Sequence, residues 1–223
     1  MLASSGLGIA GALGPLQIWA ENDSSHKLSN KVAIARLELG NRRFVEGKQK
    51  HFREGQAWRA SLVAGQNPFA VIFGCADSRV PIELIFDQGL GDLFVIRNAG
   101  NVLMEDVQGS IEYAALHLHT KLVVILGHEG CGAVTAALNS REERASEPRE
   151  LQQILRFIDP AIVNINPKDE DAVNKGVEAN VRWSVKNVRR VQKKRQRVND
   201  FNVVGAVYEL ASGRVRFLDQ PLS

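Results

Sequence analysis

Two kinds of hydrophobic pattern alternate along the chain. Short, mainly apolar runs occur at Phe69–Gly74, Leu93–Ile96, Leu122–Leu126 and Asn202–Tyr208. Each has the length of a strand and little polar alternation, which is how a strand buried on both faces reads. Arg214–Leu218, after Ser212-Gly213, reads as a short return strand of a hairpin. Helical spacing lies between and before these runs. Residues 29–47 carry Val32, Leu39 and Phe44 among charged neighbours, with Gly47 as a stop. Gln108–His119, Gly132–Asn139 and Arg149–Phe157 follow, and the longest helix covers roughly 168–197. In that last stretch Ala172, Val173, Val177, Val181, Val185 and Val188 recur at mostly three- and four-residue steps. Residues 140–149 are polar and read as a loop or the edge of a helix. Strands alternating with helices imply parallel strands joined by right-handed crossovers. The expected fold is therefore α/β: an open, mostly parallel sheet of about four parallel strands plus an antiparallel edge strand, flanked by helices.

Composition narrows this picture without redirecting it. The 223 residues suit one sizeable domain. Hydrophobic residues at 44% and charged residues at 24% exclude disorder as a description of the whole. Lys+Arg 28 against Asp+Glu 25 leaves +3, too small an excess to argue for nucleic acid. Arg182, Lys186, Arg189, Arg190, Lys193, Lys194, Arg195 and Arg197 gather toward one helix end, without the interleaved aromatics of a stacking platform. They read as a solvated helix face, and no nucleic-acid partner is expected. Residues 1–20 carry no charge before Glu21 and end Ile18-Trp19-Ala20. They read as an export signal lacking its basic leader, or as a disordered extension ahead of a single domain at 21–223. Glycines, serines and Pro15 weaken the stretch as a spanning helix, so no stable membrane span is expected. An export signal implies a periplasmic or secreted protein; without one, the protein is cytoplasmic.

The candidate chemistry sits at strand ends. The chain has two cysteines, Cys75 and Cys131. Cys75 directly follows the first apolar run, and His128 and Cys131 follow the third across Gly127. Ligands gather beyond the carboxyl ends of strands in open α/β sheets, so these three side chains are placed to converge. Two thiolates and an imidazole form a Cys₂His set that suits Zn²⁺ and leaves a fourth position open. A Cys75–Cys131 disulfide and two buried core cysteines remain the alternatives. Cys75-Ala76-Asp77-Ser78-Arg79 adds a carboxylate and a guanidinium beside the proposed metal. Asp77 could ligate the metal or accept a hydrogen bond beside it, with Arg79 holding it bidentately.

Cys75-x-Asp77-x-Arg79 followed by His128-x-x-Cys131 resembles the signature of the β-class carbonic anhydrases. Further agreement lies in Gly40-Asn41-Arg42-Arg43-Phe44, Arg97-Asn98-Ala99-Gly100-Asn101, Gly109–Ala114 and Gly127–Gly132. The resemblance runs from about Leu37 to Gly213. It implies a lyase that hydrates carbon dioxide reversibly to bicarbonate, with one Zn²⁺ per chain on Cys75, His128 and Cys131. It implies that Asp77 either ligates the metal in a closed form or pairs with Arg79 in an open form. Gln66, Phe94 and Tyr113 match positions of the plant-like pocket: Gln66 a donor to bicarbonate across a subunit interface, Phe94 and Tyr113 the apolar lining. Gly132, at the start of a helix, would favour the bound anion. A subgroup regulated by a non-catalytic bicarbonate carries tryptophan where this chain has Ile72. The resemblance further implies a homodimer or an assembly of dimers, embraced by the helix at 29–47. His26, His51, His117 and His119 are proton-shuttle candidates by type alone. Two other functions stay open: hydrolysis of carbon disulfide or carbonyl sulfide on the same site, and an inert binding protein.

Overall fold

A computed structural model describes residues 28–194 and 201–218. The proposed export segment 1–20, His26, Arg195 and Arg197 lie outside the described residues. The elements run α1 (Asn30–Val45), α2 (Gln56–Ser61), β1 (Ala70–Cys75), α3 (Ile82–Ile85), β2 (Leu93–Asn98), α4 (Glu105–His117), β3 (Leu122–His128), α5 (Gly132–Leu138), α6 (Arg141–Ala145), α7 (Arg149–Ile162), α8 (Ala172–Lys194), β4 (Asn202–Tyr208) and β5 (Val215–Phe217). A 3-10 turn at Leu62–Ala64 follows α2. The strand order is β2-β1-β3-β4-β5. The first four strands pair in parallel, and β5 closes the edge antiparallel to β4. The chain leaves β1 for β2 on one side and returns to β3 on the other. Neighbouring crossovers therefore diverge between the carboxyl ends of β1 and β3, where a crevice forms.

The pleat sends alternate side chains to opposite faces. Val71, Phe73, Val123, Ile125 and Val203 meet Ile111, Leu155, Ile158, Val177 and Val181 on the face covered by α4, α5, α7 and α8. Ile72, Val124, Leu126, Val204 and Ala206 meet Ala33, Ile34, Leu37, Ile82, Ile85 and Phe86 on the face covered by α1 and α3. Each fully buried Leu, Ile or Phe contributes about 1.5–3 kcal/mol relative to exposure.

The helix expected at 29–47 is present with a defined inner face, and two other expectations need correction. Val32 and Leu39 face outward on α1, each 50% exposed; the buried stripe is Ala33, Ile34, Leu37, Gly40 and Asn41. Residue 40 faces the Phe86 carbonyl so closely that only a glycine fits. The run Leu93–Ile96 is an edge strand, half-buried, because β2 has only one neighbour. Residues 141–145 form a helix started by a capping box: Ser140 Oγ accepts from Glu143 N, and the Glu143 carboxylate accepts from Ser140 N. Arg182, from the basic stretch, pairs with Glu178, and Arg189 donates to the Val203 carbonyl at 2.6 Å.

Candidate metal centre

The two central strands β1 and β3 each end in a ligand-type side chain. Cys75 is the last residue of β1 and His128 the last of β3. Cys131, three residues on, caps α5. All three are buried: His128 0%, Cys131 1% and Cys75 5% exposed. One ligand atom from each lies within 4.8 Å of the others. The sulfurs stand 4.0 Å apart and both cysteines are free. That separation is about twice a disulfide bond. Two sulfurs on one tetrahedral zinc stand roughly 3.8 Å apart, for Zn–S bonds of about 2.3 Å.

The histidine's tautomer follows from its neighbours. His128 Nδ1 lies 2.9 Å from the Glu129 carbonyl oxygen. A carbonyl only accepts, so Nδ1 carries the proton and Nε2 carries the lone pair. Nε2 is buried and makes no hydrogen bond. A buried lone pair with no donor to meet it costs free energy unless something electrophilic does meet it. Two sulfurs and this nitrogen, with the far ring nitrogen anchored on a carbonyl, form a donor set that fits a soft divalent metal.

The thiols respond to their confinement. The hydrogen bond from the Cys131 thiol, opposed by burial and aided by His128 and the Asp77 and Gly100 amides, lowers Cys75 from 9.0 to about 4. The same hydrogen bond, with burial, drives Cys131 far above its ordinary value, while the amides of Val134 and Ala133 pull it down. Two thiolates 4.0 Å apart repel each other, and a cation between them removes that repulsion.

Asp77 leans over this cluster. Its Oδ1 accepts from the Arg79 backbone N and from Arg79 Nε, both at 2.9 Å, and its Oδ2 accepts from Arg79 Nη2 at 2.7 Å. The Arg79 guanidinium beside it holds the carboxyl well below the usual carboxylate range. Oδ2 stands 3.8 Å from His128 Nε2. Arg79 Nη2 also reaches the Gly130 carbonyl at 3.4 Å, tying the Asp77 turn to the turn before Cys131.

Several supporting residues carried no role in the sequence reading. Arg97, at the end of β2, donates to the carbonyls of Cys75 and Asp77 at 3.0 and 2.8 Å. Gly100 N donates to Cys75 Sγ at 3.3 Å. Gly100 has φ of 70°, and a Cβ there would press on Ala133 and Ile158, so the amide reaches the sulfur only through a glycine. Asn180, buried on α8, donates to the Gly100 carbonyl at 2.9 Å. Asn174 accepts from Gly130 N at 3.2 Å.

The remaining expected residues stand elsewhere in the chain. Phe94 pairs with Val71 while Cys75 pairs with Asn98, so Phe94 sits about 13 Å down the sheet from Cys75. Its ring centroid is 6.2 Å from that of Tyr113, which lies 5.2 Å from His117. Tyr113 is 48% exposed. Gln66 is exposed, between the 3-10 turn and β1. It precedes β1 while Cys75 ends it, and β1 alone spans about 16 Å. Within one chain, therefore, neither Gln66 nor Phe94 is beside the cysteines. Gly132 is exposed as the first residue of α5. Ile72 belongs to the core on the α1 side of the sheet.

The sequence model of the carbonic anhydrase family matches residues 70–215. Carbonic anhydrase 2 of Mycobacterium tuberculosis is 48% identical over 136 residues, covering 60% of this chain and 66% of that protein. The carbonic anhydrase of Mycolicibacterium smegmatis is 40% identical over 193 residues, covering 84% of this chain and 93% of that one. A structure from work on two tetrameric β-carbonic anhydrases of Sordaria macrospora superposes with TM-score 0.63 at 26% identity, covering 86% of this chain and 98% of the other. With Cys75 and His128 ending two strands, Cys131 capping the next helix and these relatives around it, the chain belongs to the carbonic anhydrases of the β class.

Proposed function

We propose that the chain hydrates carbon dioxide reversibly to bicarbonate and a proton, with one Zn²⁺ per chain on Cys75, His128 and Cys131. The observation that carries the reading is the buried, unpartnered His128 Nε2 beside two sulfurs and an arginine-clamped carboxylate. Three protein ligands of this type fit zinc with one position open. Zinc supplies a Lewis acid that brings the pKa of a coordinated water toward neutrality.

The chain's own residues do the rest. Asp77, fixed as a carboxylate by Arg79, accepts a hydrogen bond at Oδ2 from the attacking water and turns its lone pair toward carbon dioxide. Because Arg79 already occupies both carboxylate oxygens, Asp77 acts from the open arrangement. The exposed Gly132 offers its backbone N–H to the anion that forms.

The pocket is completed by a second subunit. Gln66 and the Phe94–Tyr113 pair lie at the opposite part of the sheet from their own chain's cysteines, so they serve the partner's centre. The outward face of α1, with Val32 and Leu39 each half-exposed, supports a helix that packs on another copy. Its relative in Sordaria macrospora is tetrameric, which supports an assembly of dimers here. Among the described histidines, His117 is exposed and packed on the Tyr113 ring, which suits it to pass protons from that pocket to buffer.

Zinc content per chain, measured with stopped-flow carbon dioxide hydration, tests the proposal. One zinc with hydration supports it. One zinc without hydration favours a hydrolase of carbon disulfide or carbonyl sulfide, and no zinc favours an inert binding protein.

A further inference from the structure

The turn at residues 87–92 is a platform on which the segment leading to Gln66 is laid. Asp87 accepts from the backbone N of Lys50 at 3.1 Å and of His51 at 3.4 Å. Gly89 lies under Phe52, whose carbonyl oxygen would be 2.0 Å from any Cβ placed there. The Leu90 carbonyl accepts from Trp58 Nε1 at 2.9 Å. Gly91 supports the Leu62 side chain, which a Cβ would meet at 2.9 Å. The Asp92 carbonyl accepts from Phe69 N at 2.9 Å.

Asp92 is the keystone of that platform. Its side chain is 2% exposed and takes Arg36 Nη2 at 2.8 Å and Arg53 Nη1 at 2.5 Å. Gly89 N donates to its other oxygen at 3.0 Å. Arg53 also lies over the Trp58 ring, 4.7 Å from the centroid, so one side chain fastens both the platform and α2. His51, Arg53 and Asp87 all have positive φ, at 46°, 59° and 44°. Such backbone persists in non-glycine residues only where the surroundings over-determine it. The segment is thus pinned at 50–53, 58, 62 and 69, and exposed Gln66 stands between the last two pins.

We infer that Arg53 and Asp92 are positioning residues: they fix the path of residues 52–64 so that Gln66 meets the partner's site at the right place. The inference rests on the proposed role of Gln66. Nothing in it requires Arg53 to touch substrate, so the pair acts only through the segment it holds.

A double-mutant cycle in the full-length dimer tests this, with kcat/KM for carbon dioxide hydration, zinc content and thermal midpoint read on every variant. Arg53→Ala is expected to lower kcat/KM about tenfold with zinc content unchanged, because small misplacements of a substrate-facing group are costly. Gln66→Ala is expected to lower it at least as much, and the double variant to match Gln66→Ala alone. Arg53→Lys, which keeps a cation for Asp92, is expected to recover part of the loss and guards against a loss of folding in the alanine variant. A purely structural role would lower activity multiplicatively in the Gln66→Ala background. That outcome, or full activity in Arg53→Ala beside an impaired Gln66→Ala, overturns the inference alone. Full activity in Gln66→Ala overturns the placement of Gln66, and the inference with it.

Discussion

Two buried polar clusters sit at opposite parts of this sheet, and they are finished differently. Around Asp92, each acidic oxygen meets a donor from the chain itself: Arg36 and Arg53 on one, Gly89 N on the other. Around Cys75, His128 and Cys131 the chain stops short, leaving His128 Nε2 buried and without a partner. A satisfied network specifies a shape, whereas an unsatisfied one, held rigid by its neighbours, is shaped for something it must bind. Asp77 marks the boundary, since both its oxygens are satisfied by Arg79 yet one stands 3.8 Å from the unsatisfied nitrogen.

The contrast breaks most visibly at the centre. His128→Ala, Cys75→Ala and Cys131→Ala should each abolish hydration and leave less than about a tenth of a zinc per chain, read by elemental analysis after dialysis. Asp77→Asn sharpens the boundary. It should retain zinc while turnover falls by about 10²–10³-fold in stopped flow, the scale of a lost positioned proton acceptor. Wild-type Asp77, by the same argument, loses its charge only well below the ordinary carboxylate range. Its contribution is present above that range and disappears as pH falls through the lowered value. Activity should therefore show no acid limb from Asp77 in the ordinary carboxylate range around pH 4, where Arg79→Ala, which frees the carboxyl, should introduce one.

At the satisfied cluster the loss should fall on stability and, through the segment that the cluster holds, on kcat/KM, but not on metal binding. Asp92→Asn should cost about 2 kcal/mol in denaturant unfolding with zinc content unchanged, since the two arginines are each about a third exposed and can turn to water. The smallest effect belongs to the surface. His117→Ala should lower kcat a few-fold in dilute buffer, leave kcat/KM unchanged, and recover with added imidazole. A change in kcat/KM instead would place His117 in the pocket and not on the way out of it.

The centre was legible because its ligand-type residues end predictable strands. Cys75, His128 and Cys131 follow apolar runs, and sheet topology alone brings such ends together. The partners that aim them left no such trace. Gly100 and Asn180 meet across 80 residues through one side-chain bond, and neither periodicity nor spacing encodes a contact of that kind. Helices α2 and α3, of six and four residues, are too short for a period to show. The helix at 141–145 did have a signal, Ser140-x-x-Glu143, hidden in a run of charge. The edge position of β2 was illegible because Leu93–Ile96 is as apolar as a central strand. An apolar edge half-buried in one chain also suits the proposed second subunit.

The hydrogen on His128 Nδ1 has a consequence of its own. It lies inside a fully buried ring and is committed to the Glu129 carbonyl. Water can reach it only when the structure opens, so it exchanges slowly and should survive as a distinct low-field proton resonance. The centre thus carries a built-in isotope clock: the lifetime of that one hydrogen measures how often the end of β3 opens, in the resting protein and without any turnover.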